Sequence, residues 1–246
     1  MSPPLDSDCR LGVLAFGDSI TNGGGELQWG VALQSWALWV ARGLGLAFTG
    51  HAVDGARATD VVREQLPAFA SGGARPDGRY ELGCLYIGVN DVRAVDWDAR
   101  AYAEALGEAL GFLRARCDRV LTATAPLDLG RPRAGAKVGE LNATIAAVAA
   151  EHRALVLDLS GFGARNLVMA DHVHPTAFGQ LAIAERALEV LERDGMTVRI
   201  RPSSLVRYET TRWRRLRGDW TYSYRHLKVS LRAAALVAWF RLGAGA

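Results

Sequence analysis

The residues best suited to chemistry are a serine near the N-terminus and an aspartate and a histidine far downstream. Ser19 directly follows the apolar run 11–16, which predicts a buried strand, and Asp171 precedes His174 by three residues. A serine hydroxyl is a poor nucleophile until an imidazole removes its proton, and a third group must hold that imidazole in one tautomer. The three residues therefore predict nucleophilic catalysis, with Ser19 as nucleophile, His174 as base and Asp171 as the orienting carboxylate.

Such a serine also needs hydrogen-bond donors for the negative oxygen of a tetrahedral intermediate. The candidates are the backbone amides of Ser19 and Gly55 and the side-chain amide of Asn90. Gly55 suits this role because, without a side chain, its backbone can approach a ligand closely. Asn90 has a second interpretation, since an Asn-Asp pair after a strand, here with Asp91, ordinarily shapes a turn.

The elements that must position these residues follow from the pattern of apolar residues. Between residues 11 and 194, apolar runs of strand length alternate with stretches of helical period, as in a parallel sheet covered on both faces. The five predicted strands are Leu11–Phe16, Leu46–Val53, Glu81–Ile87, Arg119–Thr124 and Ala154–Leu159. The five predicted helices are Val31–Arg42, Ala58–Phe69, Asp98–Arg116, Val138–His152 and Ala177–Arg193. Right-handed crossovers then give a doubly wound, three-layer α/β/α sandwich.

The candidate residues all fall where such a sheet binds its ligands, at the carboxyl ends of the strands. Ser19 follows the first predicted strand, Gly55 the second and Asn90 the third, and the pair Asp171 and His174 lies in the loop before the last helix. We therefore expect residues that are distant in sequence to meet at one edge of the sheet.

Four segments in this order resemble the SGNH hydrolases, also called the GDSL esterases and lipases. The resemblance spans residues 11 to about 190 and rests on Gly17-Asp18-Ser19-Ile20, Gly55, Gly88-Val89-Asn90-Asp91 and Asp171-His172-Val173-His174-Pro175. Ile20 replaces the leucine that names the motif, which is a near-isosteric change. The resemblance implies a flavodoxin-like fold, hydrolysis of a carboxylic ester without a metal, and the roles given above for Ser19, His174, Asp171, Gly55 and Asn90.

The resemblance also decides between two histidines, because its aspartate-x-x-histidine spacing selects His174 over His172. A triple glycine at 23–25 lacks the Gly-Lys-Ser/Thr and the glycine spacing of nucleotide-binding loops, so it predicts a mobile lip beside Ser19. Trp29 could line the substrate side of this lip or pack in the core. Val89 is the second candidate for a substrate contact.

The segment 127–139 contains Arg131, Arg133 and Lys137 among glycines and prolines. As a loop after the fourth predicted strand it could overhang the site and favour an anionic substrate, or it could be an ordinary solvated loop. No group of His, Cys and acidic residues has the spacing of metal ligands, so we expect neither a metal nor another cofactor.

Composition places the chain among globular proteins. Its 246 residues are half hydrophobic, which suffices for one substantial core and one appendage. Three scattered cysteines, Cys9, Cys84 and Cys117, fit reduced thiols, and the N-terminal residues contain no long apolar run of the kind found in a secretory signal. These features favour a cytoplasmic location, with peripheral membrane contact as a second option.

The net charge of +3 conceals a strong asymmetry. Residues 196–246 carry eleven Lys or Arg against two acidic residues, a charge of +9, so residues 1–195 carry −6. We therefore divide the chain into a catalytic domain at 1–195 and a basic, aromatic-rich C-terminal extension at 196–246.

The extension has three interpretations. It could dock on the oppositely charged catalytic domain and bury Trp239 and Phe240, or bind a membrane surface, or bind nucleic acid. A helix over 225–242 would carry cations on one face and Leu227 and Leu231 on another, as interfacial helices do. Nucleic-acid binding is the least favoured, because no nucleic-acid-binding motif accompanies the charges around Trp213.

Three functional hypotheses follow. The leading one is a serine hydrolase of acyl esters that works through an acyl-enzyme, with a small-molecule, sugar or lipid ester as substrate. The second keeps the acyl-enzyme but transfers the acyl group to a sugar or another alcohol. The third is a catalytically inert membrane-surface or scaffold protein. Acyl chain length and oligomeric state are not encoded in these motifs.

Overall fold

A five-stranded parallel sheet forms the centre of the computed structural model, which describes residues 10–28, 31–72, 78–208 and 211–243. The strands are β1 (Val13–Gly17), β2 (Phe48–Gly50), β3 (Tyr80–Tyr86), β4 (Cys117–Ala123) and β5 (Leu155–Leu157). They lie in the order β2-β1-β3-β4-β5, and every neighbouring pair is parallel. The predicted α/β fold with a five-stranded parallel sheet is confirmed.

Helices cover both faces of this sheet. They are α1 (Trp36–Leu44), α2 (Ala58–Asp60), α3 (Leu66–Ser71), α4 (Val89–Arg93), α5 (Ala99–Arg116), α6 (Lys137–Glu151), α7 (Ala177–Arg193) and α8 (Arg212–Gly243). In one layer α1 packs against α7, and in the other α5 packs against α2 and α6. The four residues 13–16 of β1 are fully buried, as a strand covered on both faces requires.

The first helix begins later than predicted, at Trp36 instead of Val31. Ser35 explains the start, because its hydroxyl oxygen accepts a hydrogen bond from the amide of Ala37 at 3.2 Å. Such a cap satisfies one of the backbone donors that a helix leaves free at its N-terminus.

The second predicted helix is broken into three pieces. A π-helical turn at Val61–Gln65 separates α2 from α3. Gln65 at the end of this turn accepts a hydrogen bond from the amide of Gly17 at 3.1 Å and donates one to the carbonyl of Gly17 at 2.8 Å. The irregular turn thereby fixes the end of β1, two residues before Ser19. Periodicity alone does not distinguish such a turn from a regular helix.

Other boundaries differ more simply. The strands β2 and β5 have three residues each, shorter than the predicted 46–53 and 154–159, and both are edge strands that pair on one side. The short helix α4 has no counterpart among the predicted helices. The helix expected over 225–242 in the extension begins earlier, at Arg212.

The chain after α7 returns along α1. The amides of Arg199 and Ile200 donate to the carbonyl of Gly43 at 2.8 and 3.1 Å, and a 3₁₀ turn at Pro202–Leu205 follows. From there the chain leads to α8, whose side chains at Asp219 and Arg225 contact the body of the protein. Trp239 and Phe240, which were expected to bury against the domain, lie outside the described side chains.

Candidate active site

Ser19 lies in a tight turn directly after β1. The turn is closed by backbone hydrogen bonds from Asn22 to Asp18 at 2.9 Å and from Gly24 to Ser19 at 2.6 Å. A Cβ atom at Gly24 would come within 2.7 Å of the Ser19 carbonyl oxygen, so glycine is needed at this position. Gly24, the middle residue of the triple glycine expected to form a lip, therefore packs against the serine turn.

The structure brings the three predicted site residues together. The Oγ atom of Ser19 lies 3.0 Å from Nε2 of His174, and Nδ1 of His174 lies 2.7 Å from Oδ2 of Asp171. The other oxygen of Asp171 accepts hydrogen bonds from the amides of Val173 and His174 at 2.9 and 3.1 Å. These distances lie in the range at which an imidazole can take a proton from a hydroxyl group.

The electrostatics of this chain favour a protonated imidazole. The hydrogen bond to Asp171 raises the pKa of His174 above its ordinary value, although burial opposes the shift. Burial alone would raise the pKa of Asp171, but the hydrogen bonds from the His174 side chain and from two backbone amides outweigh it and hold that pKa below its usual range. Asp171 therefore stays ionised and stabilises the charge that His174 acquires when it takes a proton.

His172 is held in a different network. Its Nδ1 lies 3.0 Å from Oδ2 of Asp128, and its Nε2 lies 2.8 Å from Nη2 of Arg131. Because a guanidinium can only donate, Nε2 must accept and Nδ1 must carry the proton, which fixes a neutral tautomer. Burial, followed by the charge of Arg131, lowers the pKa of His172. Both ring nitrogens are thus occupied away from Ser19.

Gly55 lies in an exposed turn after β2 with φ +80°, a conformation that favours glycine. A Cβ atom at this position would meet nothing within 4 Å, so the space beside the backbone is open to a ligand. Among the described residues, no acceptor is assigned to the amide N–H of Gly55 or of Ser19.

Asn90 and Asp91 hold the Gly55 turn from one side. The side-chain nitrogen of Asn90 donates to the carbonyl of Ala56 at 3.0 Å, and the Asp91 carboxylate accepts from the amide of Ala58 at 3.1 and 3.3 Å. The amide of Asn90 has a second N–H to offer. Both residues belong to α4, so Asn90 links the loops after β2 and β3 and does more than shape a turn.

Gln180 fixes the serine turn from the opposite side. This fully buried residue of α7 donates to the carbonyls of Ile20 and Gly24 at 2.9 and 3.0 Å and accepts from the amide of Trp36 at 2.8 Å. Sequence reasoning missed Gln180, as it missed Gln65. The signal available was a lone polar residue on the apolar face of α7, four residues before Ala184.

Asp18 lies beneath the site as a buried carboxyl. Its Oδ1 accepts from the amide of Ile20 at 2.9 Å, whereas Oδ2 has no partner in the described part of the chain. Burial is the main cause that raises the pKa of Asp18 to about 7, and the nearby charge of His174 acts in the opposite direction. Burial therefore favours the protonated form of Asp18 more than it would be favoured in an exposed aspartate.

Of the two predicted substrate contacts, only Val89 can be located. Trp29 lies outside the described residues. Val89 is 1% exposed and belongs to the hydrophobic core, so its side chain packs within the protein and is not accessible to a substrate. Two of the three cations of segment 127–139 pair within the segment, since Arg131 and Arg133 lie 3.4 and 2.7 Å from Asp128.

A cleft of about 420 Å³ lies between α8 and the loops next to the site. Glu26 and Thr176 line it on one side, and Arg217, Tyr222 and Arg225 of α8 on the other. Thr176 follows His174 by two residues, so the extension reaches the immediate surroundings of the candidate active site.

The fold is shared with several hydrolases of known structure. An α/β hydrolase from the metagenome of Lake Arreo is 18% identical with a TM-score of 0.59, covering 75% of this chain and 96% of that protein. An acetylxylan esterase from Geobacillus stearothermophilus is 17% identical with a TM-score of 0.58, covering 76% and 96%. A member of the lipolytic G-D-S-L family from Veillonella parvula is 24% identical with a TM-score of 0.57, covering 74% and 98%.

Sequence comparison gives the family. No functionally curated protein matches the chain. The sequence model of the GDSL-like lipase/acylhydrolase family matches residues 15–182, which include the turn of Ser19, the Gly55 turn, α4 and the loop of His174. The chain therefore belongs to the GDSL-like lipase/acylhydrolase family, a family of carboxylic ester hydrolases.

Proposed function

We propose that this protein hydrolyses acyl esters through a covalent acyl-enzyme on Ser19. The observation that carries the proposal is the continuous hydrogen-bonded chain from Ser19 through His174 to Asp171, with steps of 3.0 and 2.7 Å. A nucleophile, a base and a group that orients the base are the parts that this chemistry requires.

In the first half of the reaction, Ser19 Oγ attacks the carbonyl carbon of the ester while its proton moves to Nε2 of His174. The resulting imidazolium is stabilised by ionised Asp171 at Nδ1. The same proton then passes to the oxygen of the leaving alcohol as the C–O bond breaks, and the acyl group remains on Ser19. In the second half, His174 takes a proton from water as the water oxygen attacks the acyl carbon. His174 then returns this proton to Ser19 Oγ as the bond between Oγ and the acyl carbon breaks, and the carboxylic acid leaves.

The negative oxygen of each tetrahedral intermediate needs donors that are already in place. The free amides of Ser19 and Gly55 and the second N–H of Asn90 suit this role. The bond from Asn90 to the Ala56 carbonyl and the Asp91 contact with Ala58 hold the Gly55 turn and Asn90 together.

The acyl group is most simply a short one, as in the acetylxylan esterases that share the fold. Acetylated sugars and p-nitrophenyl acetate are therefore suitable first substrates. Transfer to an alcohol instead of water would use the same acyl-enzyme, and product analysis with sugar acceptors separates the two outcomes.

The decisive experiment compares wild-type protein with Ser19→Ala and with Ser71→Ala, an exposed serine of α3 that serves as control. We expect Ser19→Ala to lose at least about 10³-fold in kcat on p-nitrophenyl acetate. It should also lose labelling by a fluorophosphonate, with an unchanged circular dichroism spectrum. Full turnover by Ser19→Ala would assign the chemistry elsewhere, and a wild-type protein that the probe does not label would favour an inert scaffold.

A further inference from the structure

The helix α8 exposes a stripe of large apolar side chains. Six of them are between 59% and 82% exposed, namely Trp213, Leu216, Trp220, Tyr224, Leu227 and Leu231. They recur at intervals of three and four residues, which places them along one side of a helix. At 1.5 Å per residue, the 32 residues of α8 extend about 48 Å. We call these six side chains the outer stripe.

The opposite side of α8 contacts the body of the protein. Asp219 pairs with Arg165 at 3.1 Å, and the Arg165 guanidinium lies 5.2 Å from the ring centre of Tyr222. The ring of His226 lies 5.8 Å from that of His172. Tyr222 is two residues from both Trp220 and Tyr224, and a helix turns about 200° over two residues. The outer stripe therefore points away from the catalytic domain.

The charges next to the stripe are positive. Lys228 and Arg232 are exposed along one edge of the stripe, and the exposed Arg217 lies between this edge and the cleft that it lines. Residues 212–243 contain eight Lys or Arg and a single acidic residue, Asp219, which is paired with Arg165 on the inner side. The outside of α8 thus combines an apolar surface with an excess of positive charge.

From this combination we infer that the outer stripe is a docking surface for an anionic lipid membrane. An amphipathic helix lying in a bilayer surface buries its apolar side chains among the acyl chains and places flanking cations among anionic headgroups. Aromatic residues such as Trp213, Trp220 and Tyr224 favour the same boundary. In the described part of the chain, no helix is long and apolar enough to cross a membrane.

A second copy of the chain suits this surface less well. The spacing of the stripe would also fit a coiled coil, in which flanking charges of opposite sign usually pair. Two copies of α8 would instead bring Arg217, Lys228 and Arg232 near the same residues of the partner or near uncharged ones. The excess of positive charge favours an anionic surface.

Docking in this orientation would have a consequence for the reaction. Because His226 lies beside His172, two residues before His174, membrane contact would hold the loop that carries the catalytic base close to the lipid surface. The inference goes beyond the proposed ester hydrolysis and stands on different residues, so the two can fail separately.

The test uses the full chain and sedimentation with vesicles. We expect binding to vesicles of phosphatidylglycerol mixed with phosphatidylcholine, and at least about tenfold weaker binding to pure phosphatidylcholine. The double variant Leu227→Glu/Leu231→Glu should weaken binding at least about tenfold, because it places carboxylates in the outer stripe, which would enter the bilayer surface. Its matched control is Val95→Glu, which alters a fully exposed apolar residue elsewhere, and should bind like wild type.

Several outcomes would overturn the inference. One is failure of the full chain to bind anionic vesicles. Another is unchanged binding by the double variant with a native circular dichroism spectrum. A dimer in light scattering that the double variant dissolves, without vesicle binding, would assign the stripe to a second copy. Binding to duplex DNA, likewise without vesicle binding, would assign it to nucleic acid.

Ser19→Ala separates the inference from the proposed function. It should bind anionic vesicles like wild type although it lacks turnover of p-nitrophenyl acetate. Loss of vesicle binding in this variant would contradict docking through α8 alone. Full turnover by the same variant would contradict the proposed catalysis but would not affect the inference that α8 binds a lipid surface.

Discussion

The loops around Ser19 and the helix α8 are held to the same protein by different kinds of contact. Around Ser19, buried amides such as Gln65 and Gln180 satisfy backbone groups at 2.8 to 3.1 Å. Against α8, the contacts are partly exposed ion pairs and ring contacts, such as Arg165 with Asp219 and Arg225 with Glu26. Buried hydrogen bonds are costly to break, whereas surface ion pairs contribute only about 0–1 kcal/mol each.

This difference separates two tasks. A catalytic site needs atoms held in fixed positions, so each loop is tied by groups that have no alternative partner in the interior. A surface that meets a partner needs exposed apolar area, which weakens its attachment to the rest of the fold. Changes near Ser19 should therefore alter the rate of reaction, and changes on α8 should alter binding and local stability.

The largest effect is expected from Asp171→Asn, which keeps the shape of the site but removes the charge. Without it the imidazolium of His174 is not stabilised, and kcat/KM for p-nitrophenyl acetate should fall about 10³–10⁴-fold. The acid limb of the pH profile should also move. His174 must be neutral to act as base, so wild-type activity rises as pH passes a midpoint above the ordinary histidine pKa of about 6.5.

In Asp171→Asn that midpoint should move to lower pH, because the main cause of the raised pKa is gone. The measurement is kcat/KM against pH for both proteins. A variant with wild-type rate and an unmoved midpoint would mean that the loop of Asp171 has only a structural role.

A smaller loss is expected from Asn90→Ala. Removing one donor to a developing oxyanion typically costs about 10²–10³-fold in kcat. KM should change little, because the donor acts mainly on the transition state. Asn142→Ala is the control, because Asn142 also holds a loop at the end of a strand. Its side chain makes two hydrogen bonds of 2.8 Å to the backbone of Ala125 in the loop after β4. Equal losses of kcat in both variants would show that Asn90 only holds the loop.

The sheet and the three residues Ser19, His174 and Asp171 could be predicted from the sequence because each is marked by a local sequence pattern. The fully buried strand 13–16 is a continuous apolar run, and the spacing from Asp171 to His174 is readable without a structure. Gln65 and Gln180 could not be assigned, because a single polar residue in a helix has many uses and its backbone partners are up to 160 residues away.

The orientation of α8 could not be predicted from the sequence either. An amphipathic helix ordinarily turns its apolar side inward, and the sequence allowed Leu227 and Leu231 to face either the domain or the solvent. Contacts of Asp219 and Tyr222 with Arg165 determine the choice. Arg165 lies more than fifty residues earlier, in a loop that no local pattern links to α8.

Gln180→Leu tests how much the buried network around Ser19 contributes to stability. The change leaves the carbonyl of Gly24 and the amide of Trp36 without the partner that Gln180 provides, and the carbonyl of Ile20 keeps only the amide of Gly23 at 3.3 Å. Unsatisfied buried groups cost about 1–3 kcal/mol each, so the free energy of unfolding should fall by a few kcal/mol. The exposed Glu189→Ala on the same helix should change it by less than about 0.5 kcal/mol. Urea unfolding measures both, and equal stabilities would contradict the role of Gln180.

The smallest effect on stability is expected from Arg165→Ala. The part of the protein that this change loosens distinguishes α8 from the loops around Ser19. It removes the ion pair with Asp219 and the contact with Tyr222, both partly exposed, so global unfolding should change by less than about 1 kcal/mol. Hydrogen exchange should nevertheless quicken in α8, because the contacts of its described side chains with the body are mainly such exposed pairs and ring contacts, while amides of β1 keep their protection. Arg100→Ala, which breaks an exposed pair with Glu104 on α5, should leave α8 unchanged. Faster exchange in β1 as well would mean that α8 unfolds together with the core and cannot serve as a loosely attached surface.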